Sequence, residues 1–346
     1  MIAAMSLRTL AIRTAAAVLP AILASCGGAE AGRAIDASLR PEAEQPDAAI
    51  EFRFGWPVGA RAEVLERIRG AELAFSVRYV LSVASSDSGG FVIRTDGLDL
   101  VEVGGQRADR EVVGDRFAGM ISSLQSAMPS LLVGASGDFL GVEDADAWVE
   151  RSAMAIEAQI ASAGEDLDER ADIEAALRAR AAMMRAPEQR DDLIRAAGDR
   201  YAVWVGSWLG LAARPGETVQ RPVFTTLPWS PLGSELELPV QMGGYIVEPA
   251  DHVRVEIRGA VEPAADELPA DVPEQVRASL RGVRGLVERV AVLDPTRLLP
   301  LHVEARFRME RPSPDGGDPQ SVEELRSWDF TWQLPGSAEG SAGTGR

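Results

Sequence analysis

Lysine is absent. All 35 basic residues of this 346-residue chain are arginine, which excludes Schiff-base chemistry, a lysine nucleophile and the phosphate-binding lysine of a P-loop together. Cysteine is nearly absent too: Cys26 stands alone, so no disulfide can form within the chain. Histidine is limited to His252 and His302. With two histidines on separate strands, a zinc site would need mostly carboxylates, and no metal is expected. No G-x-S-x-G elbow, S-x-x-K, Walker A or G-x-G-x-x-G occurs. The sequence nominates no catalytic residue and no cofactor.

Positive charge is also in deficit. The 53 acidic residues give a formal net charge of −18, and a body of that sign repels phosphate backbones and anionic headgroups. No basic cluster is interleaved with aromatics, so nucleic acid is not an expected partner. Asp144-x-Asp146 and Asp315 to Asp318 fall short of a calcium loop, which needs further oxygen donors and a distal glutamate. A helix start explains the first and turn chemistry the second.

What is present is an ordinary globular composition, 46% hydrophobic and 25% charged, in a chain long enough for one large domain or two smaller ones. Residues 1–25 read as a signal peptide: Arg8 and Arg13 supply positive charge, and nothing acidic precedes Glu30. Thr14 to Ala24 is an apolar run of 11 residues, against roughly 20 for a bilayer-spanning helix. It ends in Leu23-Ala24-Ser25-Cys26-Gly27. This motif resembles the lipobox of bacterial lipoproteins. The resemblance implies diacylglycerol on the Cys26 thiol, cleavage before Cys26, and an acyl chain such as palmitate on the new amino group. The nucleophilicity of sulfur explains the need for cysteine, and two or more chains make such an anchor stable. Glycine rather than aspartate at position 27 implies the outer membrane, with the body in the periplasm. A rival site remains open: cleavage after Ala29-Glu30-Ala31 would discard Cys26 and yield a secreted soluble protein.

Residues 26–49, rich in Gly, Ala, Glu and Pro, read as a flexible tether with an average reach of roughly 25–30 Å. Residues 336–346 read as a disordered tail. The globular body, 50–335, divides by its periodicities. Residues 50–103 are strand-rich: Leu73, Phe75, Val77, Tyr79, Leu81 and Val83 alternate, and Asp96-Gly97 predicts a hairpin between Phe91–Thr95 and Leu98–Val103. Residues 110–213 are read as helical, with one helix at Val112–Met128 and three more over 143–213. Of these three, the last carries the stripe Ala197, Tyr201, Trp204, Trp208 and Leu211. Residues 218–334 return to period two, with Asp294-Pro295 turning Val287–Leu293 back onto Leu301–Met309. Runs of strands with helices segregated between them predict an α+β fold, in which antiparallel, curved sheet carries a central three-helix segment. Whether the two strand blocks form one sheet or two lobes is open.

Seven tryptophans stand beside three tyrosines and nine phenylalanines. Trp204 with Trp208, and Trp328 with Trp332, are the candidate ligand-binding residues, although core packing also accounts for such surfaces. A curved antiparallel sheet with helices laid into its concavity is similar in outline to the periplasmic lipoprotein carriers. The leading expectation is therefore a non-enzymatic, membrane-anchored protein that binds an apolar ligand or an envelope protein. A structural or assembly component of the cell envelope is the alternative. An envelope hydrolase is the third, and would require a cleft holding an acid–base pair.

Overall fold

The computed structural model describes residues 49–70, 74–87, 89–108, 125, 127–162, 170–227, 230–246, 252–261, 282–311 and 319–336. Cys26, the signal segment, nearly all of the expected tether, most of the Val112–Met128 helix, Gly164, the Asp315–Asp318 loop and the tail from residue 337 lie outside the described residues.

The alternation around Tyr79 is realised as strand β3 (Ala74–Ser85), whose Phe75, Val77, Tyr79, Leu81 and Val83 are all buried. Beside it runs β2 (Arg61–Arg69), burying Ala62, Val64, Glu66 and Ile68 in the same rhythm. On its other side runs β4 (Phe91–Val103), and here one expectation fails. Asp96-Gly97 does not reverse the chain; β4 continues through it as one strand. Val80 pairs with Asp96 and Arg78 with Asp99, so two residues of β4 face one of β3. Gly97, at φ 66°, thus sits in a β-bulge, the other structure that a left-handed glycine serves. The tight turn comes later, at Gly104-Gly105, where φ is 58° and 80° and Val103 pairs with Gln106 of β5 (Gln106–Arg107).

A second correction concerns residues 110–213. Within that stretch β6 (Leu131–Val133) and β7 (Phe139–Val142) are strands, pairing onto β4 and onto each other. Too short and too apolar to stand alone, they cover the free edge that β4 would otherwise expose.

The second block is a six-stranded meander. It comprises β9 (Thr218–Leu227), β10 (Ser230–Ile246), β11 (His252–Val261), β12 (Arg284–Asp294), β13 (Leu299–Arg311) and β14 (Gln320–Gln333). The expected turn after Asp294 joins β12 to β13. Strand β14 then pairs antiparallel with β2, from Leu325 opposite Arg69 to Gln333 opposite Arg61. The two blocks are therefore one sheet, in the order β7-β6-β4-β3-β2-β14-β13-β12-β11-β10-β9. The fold is α+β, as the segregated periodicities predict.

Helices α1 (Ala145–Ser162), α2 (Arg170–Arg185) and α3 (Arg190–Ala197) cross between the blocks. Helix α3 touches β7 at one end of the strand order and β10 beside the other, so the sheet curves around it. The third stripe is not one continuous helix. After α3 come a single turn (Asp199–Tyr201), a π-helical turn (Ala202–Gly206) and a reversal through residues 207–210. A regular helix presents one stripe inward, whereas here the consecutive Val203, Trp204 and Val205 are all buried. The chain then forms β8 (Ala212–Ala213), paired with β1 (Ile50–Glu51) at the start of the body. One apolar cluster unites the concave face, the helices and this segment.

Gly137, in the β6–β7 connection, has φ +96°, and a Cβ there would lie 2.6 Å from the Phe54 ring. Gly137→Ala is expected to cost about 3 kcal/mol or more, because strain and overpacking add. Gly104→Ala, with nothing within 4 Å of its Cβ position, should cost about 1–2 kcal/mol from conformation alone. Urea unfolding midpoints distinguish the two, and equal losses would contradict the packing described.

Candidate functional site beneath the π-helical turn

Strand register puts the sheet's central aromatic residues on one face. Val64 lies opposite Phe330, Ala62 opposite Trp332, and Glu66 opposite Trp328. Rings then meet in an unbroken series. Phe91 contacts Phe54, and Phe54 stacks on Trp56 at 5.7 Å. Trp56 meets Tyr201 at 6.2 Å and Trp332 at 4.9 Å, both edge to face. Trp332 stacks on Phe330, Phe330 meets Trp204 at 5.5 Å, and Trp204 meets Trp328 at 6.2 Å. Each such pair adds about 0.5–1.5 kcal/mol beyond the area it buries.

The four candidate tryptophans are placed differently. Trp204 lies in the π-helical turn and Trp208 in the reversal after it, rather than on a regular helix; both are buried. Trp328 and Trp332 share the inner face of β14, the first buried and the second half-buried. Trp204, Trp328 and Trp332 belong to the ring series, while Trp208 packs in the same core.

Charge enters this apolar face at two points. Glu66, 1% exposed, occupies an inward slot of β2. Its Oε2 accepts a hydrogen bond from the Tyr79 hydroxyl at 3.1 Å and faces Arg200 Nη2 at 3.6 Å. Arg289, 3% exposed, occupies an inward slot of β12 and donates to Ser207 Oγ at 2.5 Å. Ser207 in turn donates to the Ala202 carbonyl at 2.8 Å. The π-helical turn is thus pinned on both flanks, by Arg200 before it and Ser207 after it. Burial works against the Arg200 charge, but Glu66, then Tyr79 and Asp199, outweigh it and hold the guanidinium protonated. Burial, and secondly the Glu66 charge, push the Tyr79 hydroxyl well above its ordinary range. For Arg289 burial prevails, lowering its affinity for the proton despite Asp199.

The indole N–H groups of the described tryptophans differ in their partners. Trp56, Trp148, Trp208 and Trp332 donate to the carbonyls of Leu298, Ala127, Val203 and Pro300. Trp204 Nε1 is buried without a hydrogen-bond acceptor among the described residues and Glu66 Oε1 without a donor, while the Trp328 indole N–H faces the Tyr79 hydroxyl. Glu66 and Trp204 both adjoin Trp328, the first through strand register and the second through ring contact.

His302 is not the plainly solvated residue that its charged strand face suggests. It is 22% exposed, and its Nδ1 lies 2.7 Å from Asp329 Oδ1, with Arg67 on the other oxygen of Asp329. His252 opens β11, opposite Ile246. Among the described residues no three metal-ligating side chains cluster, and no helix is long and apolar enough to cross a membrane. Sequence reasoning missed Glu66, Arg200 and Arg289. A charge in an inward slot of an otherwise apolar alternation was the available signal for Glu66 and Arg289.

No family model matches the chain, and no curated protein matches it. Among solved structures it is similar to one titled "Lipid-protein interactions in lipovitellin", at a TM-score of 0.36 and 8% identity. The similarity covers 87% of this chain and 27% of that one.

Arg200→Met leaves Glu66 as an uncompensated buried charge and should cost about 3–5 kcal/mol. Adding Glu66→Gln should recover much of the loss, since no lone charge remains. Strict additivity in a denaturant-based double-mutant cycle would show that the two do not interact. On the outer face, the hydrogen bond from His302 is the main influence lowering Asp329 to about 2. Its stabilising contribution is complete above the unfolded value of ~3.9 and is lost as pH falls through about 2. The pair is half-exposed, so the loss should stay within about 1 kcal/mol. Carboxyl NMR of His302→Gln should show Asp329 titrating higher; an unmoved titration would assign the shift elsewhere.

Proposed function

We propose that this chain is a lipid-anchored envelope protein whose body binds an apolar ligand between the curved sheet and the helical segment, without performing chemistry on it. The observation that supports ligand binding is the aromatic series on the concave face. Its rings come from the entry segment, the π-helical turn and β14, three parts of the chain remote in sequence. Apolar ligands are held by concave aromatic surfaces bearing a few placed polar groups, and Glu66, Tyr79 and Arg200 are such groups. The covering element is suited to displacement. A π-helical turn is often found at functional sites, and this one is fastened by a small number of polar links that can re-form. The anchor reading rests on the Cys26 motif and its position just beyond a short apolar run. Anchorage in the outer membrane, facing the periplasm, follows from Gly27 within the same reading.

Mass spectrometry of protein extracted from membranes tests both halves. Under denaturing conditions the expected mass is that of a chain beginning at Cys26 and carrying a diacylglyceryl group and an acyl chain. Under native conditions a further, non-covalent adduct of lipid size is expected. A chain beginning at Gly32, or a free thiol at Cys26, would refute the anchor. Identical native and denatured masses would refute the ligand.

A further inference from the structure

The concave apolar face is filled by the chain's own rings, which meet one another from Phe91 to Trp328. A ligand can lie there only where one of those rings gives way. Trp328, Phe330 and Trp332 are fixed on β14, in the middle of the strand order, and Phe91 is fixed on β4, which is paired there on both sides. Tyr201 and Trp204 move only if the covering turn parts from Glu66 and Arg289, and the Tyr201 hydroxyl adds a bond of 2.7 Å to the Gly137 carbonyl. Phe54 and Trp56 are held differently. They stand in residues 52–60, which belong to no strand. The bonds that fasten residues 52–56 to the body are neutral: Phe52 with Gly210 and Leu211, the Arg53 and Gly55 N–H groups to the Pro295 and Arg297 carbonyls, and the Trp56 indole to the Leu298 carbonyl.

This entry segment lies on the face as a bound peptide would. Phe52, Phe54 and Trp56 turn inward while Glu51, Arg53 and Gly55 are exposed, the alternation of an extended chain. Trp56 wedges between Tyr201 of the covering segment and Trp332 of the sheet, and Phe54 between Phe91 and the backbone at Gly137. The turn that receives it holds buried Leu298 at φ 52°, a conformation that disfavours residues other than glycine. We propose that the entry segment is the resident occupant of the apolar site, and that an apolar ligand binds by displacing Phe54 and Trp56 from between the covering segment and the sheet. Incoming apolar groups replace the departing rings, so the face is not left bare to water. The departure also frees Gly210 and Leu211, so the covering turn loosens after the entry segment and not before it. Binding and detachment are thereby linked, each favouring the other.

This inference rests on the apolar-ligand reading, and its test separates the two. A Cβ on Gly55 would lie 3.6 Å from that of Arg297, within the roughly 3.5–4.5 Å that a disulfide spans. Gly55→Cys with Arg297→Cys, in a full chain carrying Cys26→Ser, therefore locks the segment with the one disulfide that chain can form. Binding of 11-bromoundecanol, whose bromine quenches tryptophan fluorescence, is measured in amphipol before and after reduction with dithiothreitol. The locked form is expected to bind at least about tenfold more weakly than the same protein reduced, because its binding-competent fraction falls. In the unmodified chain, hydrogen exchange should quicken at the amides of Phe52, Arg53 and Gly55 when the alcohol is added, and stay unchanged in β2 and β14. That measurement decides the matter should the double variant fail to fold. Equal affinities in the locked and reduced forms, or entry-segment amides that the alcohol leaves unmoved or slows, would overturn displacement while leaving apolar binding intact. Quenching in neither the variant nor the unmodified chain would overturn the apolar-ligand reading itself.

Discussion

The antiparallel pairing of β14 with β2 is the contact on which the rest of the molecule depends. It joins the last strand of the chain to one of the first, over a separation of more than two hundred residues, and so carries a large loop-closure cost. Without it the chain holds two separate strand blocks, each with an open edge and half an apolar face. With it, the inward residues of β3, β2, β14 and β13 become one surface. Trp328 lies beside Glu66, and Phe330 beside Val64, only because of that register, and a slip of one residue would turn Trp328 and Phe330 to the solvent.

Long-range pairing also dictates how the helical segment is used. A sheet apolar on one side must be covered there, and the covering chain must enter and leave on the block boundaries because it is inserted between them. Helix α3 can reach both ends of the strand order only where the sheet curves. The turn that follows fills the middle, where Val203, Trp204 and Val205 all need burial. Regular α-helical geometry cannot bury three successive residues equally, and the wider π turn with its reversal at residues 207–210 does so. Arg200 and Ser207 then fasten it to Glu66 and Arg289. Such links contribute little net stability, because desolvation offsets attraction, but they fix the placement of the turn more sharply than apolar contact can.

Much of this architecture was legible in the residues. Period-two runs marked β3, β11, β12, β13 and the end of β14, and the return of that period at Thr218 coincides with the start of β9. The stripe Tyr201, Trp204, Trp208, Leu211 named buried residues correctly although the segment is not one helix. The errors share a cause. Asp96-Gly97 suits a tight turn and a bulge equally, and only the pairing partner decides between them. Leu131–Val133 and Phe139–Val142 are too short for periodicity to speak, so the edge of β4 settles their state. The union of the two blocks was invisible because no local pattern encodes which strands meet across the chain. In the candidate site the tryptophans were named from the sequence, whereas Glu66 and Arg289 were missed although each is a charge in an inward slot. Arg200 carried no such signal, since an arginine on a helix looks the same facing solvent or sheet.

The entry segment gives the fold a mechanical property. Residues Ile50 and Glu51 pair with Ala213 and Ala212, Phe52 exchanges hydrogen bonds with Gly210 and Leu211, and Arg53 and Gly55 bond to the β12–β13 turn. The chain therefore arrives by lacing the stretch just after Trp208 to the rim of the sheet. Tension applied at residue 49 is delivered first to these few bonds and, through them, to the covering turn, before any strand of the large sheet bears load. A pull at that point would slacken the cover while leaving the sheet beneath it whole.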